Sequence, residues 1–280
     1  NLTVNGIPGE DDCGLLDQQD SVYTLTDDVS SSGTCFTIAA NNVTLDCAGK
    51  MINYSQSVSG YGVNVSGYNY TTVKNCEIVQ GSATNSGDGI HLTSNSNFIN
   101  ISNNNITTEG SVARGIELDS GSGNNKIAFN NIFTSGSNAE TIILTGSSNN
   151  LISNNNLNAT QGNVISLNND VKENIIENNN IIQSGDNGIR FAGVGGISNP
   201  DRNNITGNNF NNINNFEINF ETQGIDFTYL IDQPIRNYSF AGDGGIVYFK
   251  DTSYGEIRFL EGINGTGTNL SNDIRIGNNS

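Results

Sequence analysis

Ile101-Ser-Asn-Asn-Asn-Ile106 returns as Ile127-Ala-Phe-Asn-Asn-Ile132, then as Ile152-Ser-Asn-Asn-Asn-Leu157 and Ile176-Glu-Asn-Asn-Asn-Ile181. The same pattern reaches back to Val73-Lys-Asn-Cys-Glu-Ile78 and forward to Ile205-Thr-Gly-Asn-Asn-Phe210, in steps of 28, 26, 25, 24 and 29 residues. A second marker runs between these. It reads Gly62-Val-Asn-Val65, Gly89-Ile-His-Leu92, Gly115-Ile-Glu-Leu118, Thr141-Ile-Ile-Leu144, Val164-Ile-Ser-Leu167, Gly188-Ile-Arg-Phe191 and Glu217-Ile-Asn-Phe220. Two markers in phase over successive cycles define a repeat of about 25 residues. Each cycle holds short strands with alternate apolar residues, separated by turns. One coil cannot bury its inward side chains, but stacked coils share a continuous core, with like positions about 4.8 Å apart. The expected fold is all-β, a parallel β-helix over residues 36–222.

Composition agrees. Asn occurs 50 times in 280 residues, whereas Lys and Arg total 11 and Trp is absent. Asn is a poor helix former, and helix surfaces draw on Lys, Arg, Glu and Ala. Within the repeat, Asn104, Asn130, Asn155, Asn179 and Asn208 form a column at the turn after the apolar strand. Asn tolerates left-handed backbone there, and stacked amides can hydrogen-bond from coil to coil.

The net charge of −17 excludes nucleic acid as a partner, because eleven scattered cations cannot neutralise a phosphate backbone. Anionic membrane surfaces are disfavoured on the same ground. No run approaches 18 apolar residues, so no membrane insertion is expected. The chain begins at Asn1 without an initiator Met, which fits a mature secreted product or an excerpt of a longer chain.

Cys13, Cys35, Cys47 and Cys76 lie without CxxC spacing beside a single His, so zinc is not expected. They read as two disulfides or as stacked buried thiols, the former implying an oxidising, extracellular setting. Candidate N-glycosylation sequons stand at Asn1, Asn42, Asn53, Asn64, Asn69, Asn100, Asn105, Asn158, Asn204, Asn237, Asn264, Asn269 and Asn278.

The coil pattern resembles the right-handed parallel β-helix repeats of NosD-type and CASH-type (carbohydrate-binding and sugar hydrolase) proteins. The run Gly33-Thr-Cys-Phe-Thr-Ile38, Asn42-Val-Thr-Leu-Asp-Cys47 and Thr72-Val-Lys-Asn-Cys76 is similar to archaeal cell-surface proteins, in which Cys-bearing coils begin the helix. The resemblance covers roughly residues 10 to 222. It implies a fold more sharply than a function, since such proteins include lyases, epimerases, tailspikes, adhesins and surface-layer proteins.

The ends differ from the middle. Residues 1–35 lack the Asn repeat and are read as an N-terminal cap pinned by Cys13 and Cys35. Residues 223–280 are read as a C-terminal β region, a cap or a small domain contacting a neighbour, with a hairpin turn at Asp251-Thr-Ser-Tyr-Gly255.

Phasing the coils on the Gly-Ile-x-Leu marker places Asn64, His91, Glu117, Ile143, Ser166 and Arg190 at the outward position. Tyr61, Asp88, Arg114, Glu140, Asn163 and Asn187 fall just before the strand. Asp88, His91, Arg114 and Glu117 are therefore the residues on which catalysis would rest, binding a uronic-acid polymer or abstracting a proton beside a carboxylate. The plainer reading is that charges on adjacent exposed strands stabilise the ladder by a few tenths of a kcal/mol. The paired Asp and Gly-His-Gly loop of polygalacturonase-like relatives are absent. Lys74, Lys126, Lys172, Arg190 and Arg202 lack the acidic companions of a pectate-lyase-like site. No cofactor is expected. Calcium at the Asp-rich loops 10–12 and 17–20 is the weak alternative.

The expected function is a non-catalytic extracellular structural protein. It would be a glycosylated subunit of a cell-surface layer, adhesin or filament, partnered by copies of itself or by neighbouring surface proteins. The alternative is a polysaccharide-binding or polysaccharide-processing β-helix.

Overall fold

The computed structural model describes residues 12–84, 86–192, 202–215 and 217–220. Beyond these it describes the backbone of the strands Ile225–Ile231, Tyr238–Phe240, Gly245–Lys250 and Arg275–Gly277. Every described strand pairs parallel, in three sheets of 10, 11 and 8 strands whose neighbours come from successive coils. The fold is the expected all-β parallel solenoid, and the described residues contain no helix. The first sheet carries the Gly-Ile-x-Leu strands, with Ile90 opposite Val63 on one side and Ile116 on the other. The Ile-x-Asn-Asn-Asn-Ile motif turns the corner between the other two. Ile101 lies in the second sheet (Asn100–Ser102) and Ile106 in the third (Asn105–Thr108).

Alternation within each strand decides which side chains go inside. Val63, Ile90, Ile116, Ile142, Ile165 and Ile189 stack as one buried column, Val73, Ile101, Ile127, Ile152 and Ile176 as another. Each such side chain stabilises the fold by roughly 1.5–3 kcal/mol relative to exposure. The marker glycine is needed where coils come closest. A Cβ on Gly115 would lie 2.3 Å from the Ile132 side chain and 2.5 Å from the Thr141 carbonyl oxygen.

The Asn column is a buried ladder. Asn155 Nδ2 donates to Asn179 Oδ1 at 3.0 Å and to the Ile127 carbonyl at 2.9 Å, while Asn155 Oδ1 accepts the Asn130 N–H at 2.9 Å. The left-handed backbone lies one residue earlier than expected. Asn103, Phe129, Asn154 and Asn178 have φ of 57°, 59°, 55° and 54°. The ladder residue keeps ordinary backbone, so its amide can point inward along the stack. At the other end of the second sheet a further buried ladder, not anticipated from the sequence, joins Asn125, Asn150, Asn174 and Asn203. Each Oδ1 accepts the preceding coil's N–H, at 2.9 Å for Asn125 to Asn150 and 2.8 Å for Asn150 to Asn174. Its signal is an Asn two residues before each apolar strand centre, as in Asn150 before Ile152.

Both disulfides form, Cys13 with Cys35 and Cys47 with Cys76. The Cys76 amide donates to Asn104 Oδ1 at 3.0 Å, so Cys76 stands where the ladder would continue. Within the stretch read as an N-terminal cap, Leu15–Leu16, Val22–Thr24 and Val29–Ser30 each join one sheet, so the solenoid is already wound there. At the other end, Tyr238–Phe240, Gly245–Lys250 and Arg275–Gly277 continue two of the sheets in parallel pairing. The hairpin at Asp251–Gly255 lies outside the described residues.

Candidate functional site

Register places the outward column of the first sheet as the phasing expected. His91 lies between Asn64 and Glu117, followed by Ile143, Ser166 and Arg190. All four proposed residues meet. His91 Nε2 is 3.7 Å from Glu117 Oε2, and Arg114 Nη1 is 3.5 Å from the same oxygen. Arg114 Nε is 3.6 Å from Glu140 Oε2, and the Arg114 backbone N–H donates to Asp88 Oδ1 at 2.8 Å. Tyr61 stacks on His91 with ring centroids 4.5 Å apart, and Asn64 Oδ1 contacts His91 Nδ1 at 3.2 Å. Beneath them Tyr54, fully buried, donates its hydroxyl to the Gly87 carbonyl at 3.0 Å.

The cluster is more enclosed than an exposed charge ladder. Asp88 and Glu140 keep 3% and 8% of their surface, although both precede an outward-facing strand. Burial pushes the Asp88 carboxyl well above the usual carboxylate range, and the neighbouring Glu117, hydrogen-bonded and like-charged, pushes the same way. Burial also raises Glu140, against the pull of Arg114 and Arg190. His91 is lowered by burial, with Glu117 opposing, which keeps the imidazole neutral at pH 7. Tyr61 is raised, by burial first and by Asp88 next. The arrangement therefore sets a carboxyl that holds its proton more tightly than usual beside Glu117 and the His91 imidazole, groups suited to proton transfer. It also leaves Arg114 compensated by two carboxylates.

Three of the remaining basic residues, Lys74, Lys172 and Arg202, pair locally. Lys74 Nζ is 3.0 Å from Asp46, Arg202 Nη2 is 2.9 Å from Glu173, and Lys172 meets Asp170. Each meets a single carboxylate, not a group. Among the described residues no cluster of three or more His, Cys, Asp or Glu side chains could hold a metal ion. Asp17 and Asp20 are described, whereas Glu10 and Asp11 lie outside. Tyr61, Asn64 and Tyr54 were not singled out in the sequence as members of the site. Tyr61 occupies the same turn position one coil before Asp88, and that is the signal that finds it.

The family model for the right-handed beta helix region matches residues 29–210, and the chain belongs to that family. No curated protein matches it. Among solved structures it is similar to DFA-IIIase from Arthrobacter chlorophenolicus A6 without its lid, with a TM-score of 0.56 and 13% identity over 86% of this chain and 68% of that one. It is also similar to the Dettilon tailspike protein, with a TM-score of 0.54 and 16% identity over 89% of this chain and 60% of that one. At such identity the likeness concerns the fold: the neighbours are a carbohydrate-processing enzyme and a phage tailspike, and the archaeal surface likeness has no counterpart among them.

Proposed function

We propose that the chain is a non-catalytic extracellular rod, a subunit of a cell-surface layer, adhesin or filament that associates through its ends. The observation that carries this reading is the pairing of charged and polar groups between coils on the first sheet, although Arg114 Nε and Glu140 Oε2 reach each other only as an ion pair and make no hydrogen bond. Asp88 accepts the Arg114 N–H, Arg114 lies between Glu117 and Glu140, and His91 is held by Tyr61 and Asn64. Each contact crosses from one coil to another or closes within a coil, so the cluster stitches the stack. Two disulfides fit an oxidising compartment, and among the described residues no helix is long and apolar enough to cross a membrane. Electron microscopy of native material tests it. Filaments or a lattice with the chain ends buried between subunits are expected, and isolated rods at every concentration would overturn it.

A second reading, polysaccharide processing, is favoured by the buried Asp88 carboxyl beside the half-buried Glu117 and His91. Because Arg114 is already compensated, a neutral glycan suits this face better than a uronic-acid polymer. Turnover of neutral oligosaccharides that is lost in both Asp88→Asn and Glu117→Gln would establish it. No turnover by the wild-type protein would remove it.

A further inference from the structure

The exposed faces of the solenoid treat the sequons unequally. Of the eight described, only Asn42 and Asn105 are exposed. Asn53, Asn100, Asn158 and Asn204 have their Oδ1 atoms buried, Asn64 Oδ1 faces His91, and Asn69 Oδ1 accepts the Asn97 N–H at 2.8 Å. Asn42 commits its amide nitrogen to Asp20 Oδ1 at 2.8 Å. Asn105 is held the other way round. Its Oδ1 accepts from Asn131 Nδ2 at 2.8 Å, which fixes the amide plane while no described residue takes its own N–H.

Asn105 follows Met51 and Glu77 in the outward column of the third sheet and begins its run of Asn, which continues through Asn131, Asn156, Asn180 and Asn209. Two residues beyond each of these stand Thr107, Phe133, Asn158, Ile182 and Asn211, so only Asn105 has the hydroxyl a sequon requires. Alternation in a strand puts Asn105 and Thr107 on the same face. Beside Asn105 lies a shallow, open cavity of about 360 Å³ lined by Gly49, Asn75, Cys76, Glu77, Asn103 and Asn105. Gly49, at φ 85°, leaves it open, since a Cβ there would meet nothing within 4 Å. Its volume lies at the small end of ligand sites, and its walls offer planar amides and one carboxylate to hydroxyl groups.

We infer that Asn105 is an N-glycan acceptor and that this cavity seats the first sugar. The donor is a lipid-pyrophosphate-linked oligosaccharide, used by a transferase. The Asn105 amide nitrogen attacks the anomeric carbon, forming the N–C bond, and loses a proton to the transferase. The bond from the anomeric carbon to the phosphate oxygen breaks, and the lipid pyrophosphate leaves with its electron pair. The inference rests on the extracellular reading and is independent of the Asp88–Glu117 face.

Peptide mass spectrometry of the native protein tests it. A glycan is expected on the Asn105 peptide, with the Asn53, Asn100, Asn158 and Asn204 peptides bare, and Thr107→Ala should remove one glycan mass. A bare Asn105 peptide in protein with both disulfides intact overturns the site, whereas four alkylatable thiols would overturn the extracellular reading beneath it. Enzymatic deglycosylation should lower Tm by about 2–4 °C if the sugar is seated. That difference should shrink in Asn103→Gly, which keeps the left-handed turn but removes the amide. A difference that is absent, or unchanged in the variant, overturns the seating.

Discussion

Asp88 Oδ1 accepts the Arg114 N–H at 2.8 Å in the same turn position at which Asn163 Oδ1 accepts the Asn187 N–H at 3.2 Å. A carboxyl group thus does between two coils what an amide does between two others. Unfolded, it titrates near 3.8, but burial holds the proton on the folded protein to higher pH. The folded state then binds more protons than the unfolded state over that window, so Asp88 lowers stability as pH rises through it. Asp88→Asn keeps the acceptor and cannot ionise. Its Tm is expected to match or exceed that of the wild type at pH 7, with the difference growing as pH rises above about 4. A Tm that falls below wild type at pH 7 would show that a charged Asp88 is needed.

Asn155→Ala removes a buried amide that bridges three coils through Asn130, Asn179 and Ile127. The partners left without hydrogen bonds cost about 1–3 kcal/mol each. A drop in Tm of several degrees is expected by calorimetry. An unchanged Tm would mean that water replaces the amide.

Cys47 and Cys76 are both buried, so intact mass should show the oxidised protein, and native alkylation should find no thiol. Replacing both with Ala is expected to cost roughly 2–4 kcal/mol in denaturant titration. Cys47→Ala with Cys76→Asn should recover part of that loss, because Asn at 76 continues the ladder onto Asn104. Equal stability of the two double variants would refute the equivalence of Cys76 with the ladder position.

Phe129 is exposed and left-handed at φ 59°, in the turn position that Asn103 and Asn154 fill in the adjacent coils. A bulky residue pays a steric cost there that Asn largely avoids. Phe129→Asn is expected to raise stability by up to about 1 kcal/mol. A clear loss would show that the ring makes packing contacts the exposed position does not suggest.

The sequence by itself determined the coil, because a period of about 25 residues with two apolar markers in phase admits one way of burying both. It also determined the outward column: strand alternation and the phase of the Gly-Ile-x-Leu marker put His91 beside Glu117. Local pairing of Lys172 and Arg202 was not legible, since their partners Asp170 and Glu173 stand in turns whose lengths vary from coil to coil. The second Asn ladder was hidden in runs of Asn, where identical letters serve different ends: a left-handed turn at Asn149, a buried amide at Asn150. Only the tertiary structure separated those roles, because whether an Asn faces the stack or the solvent depends on φ and on what the next coil offers. The burial of Asp88, and with it the upward shift of its carboxyl, was likewise decided by the fold. A carboxyl's charge state follows from the water and charges around it, and coil packing removed that water.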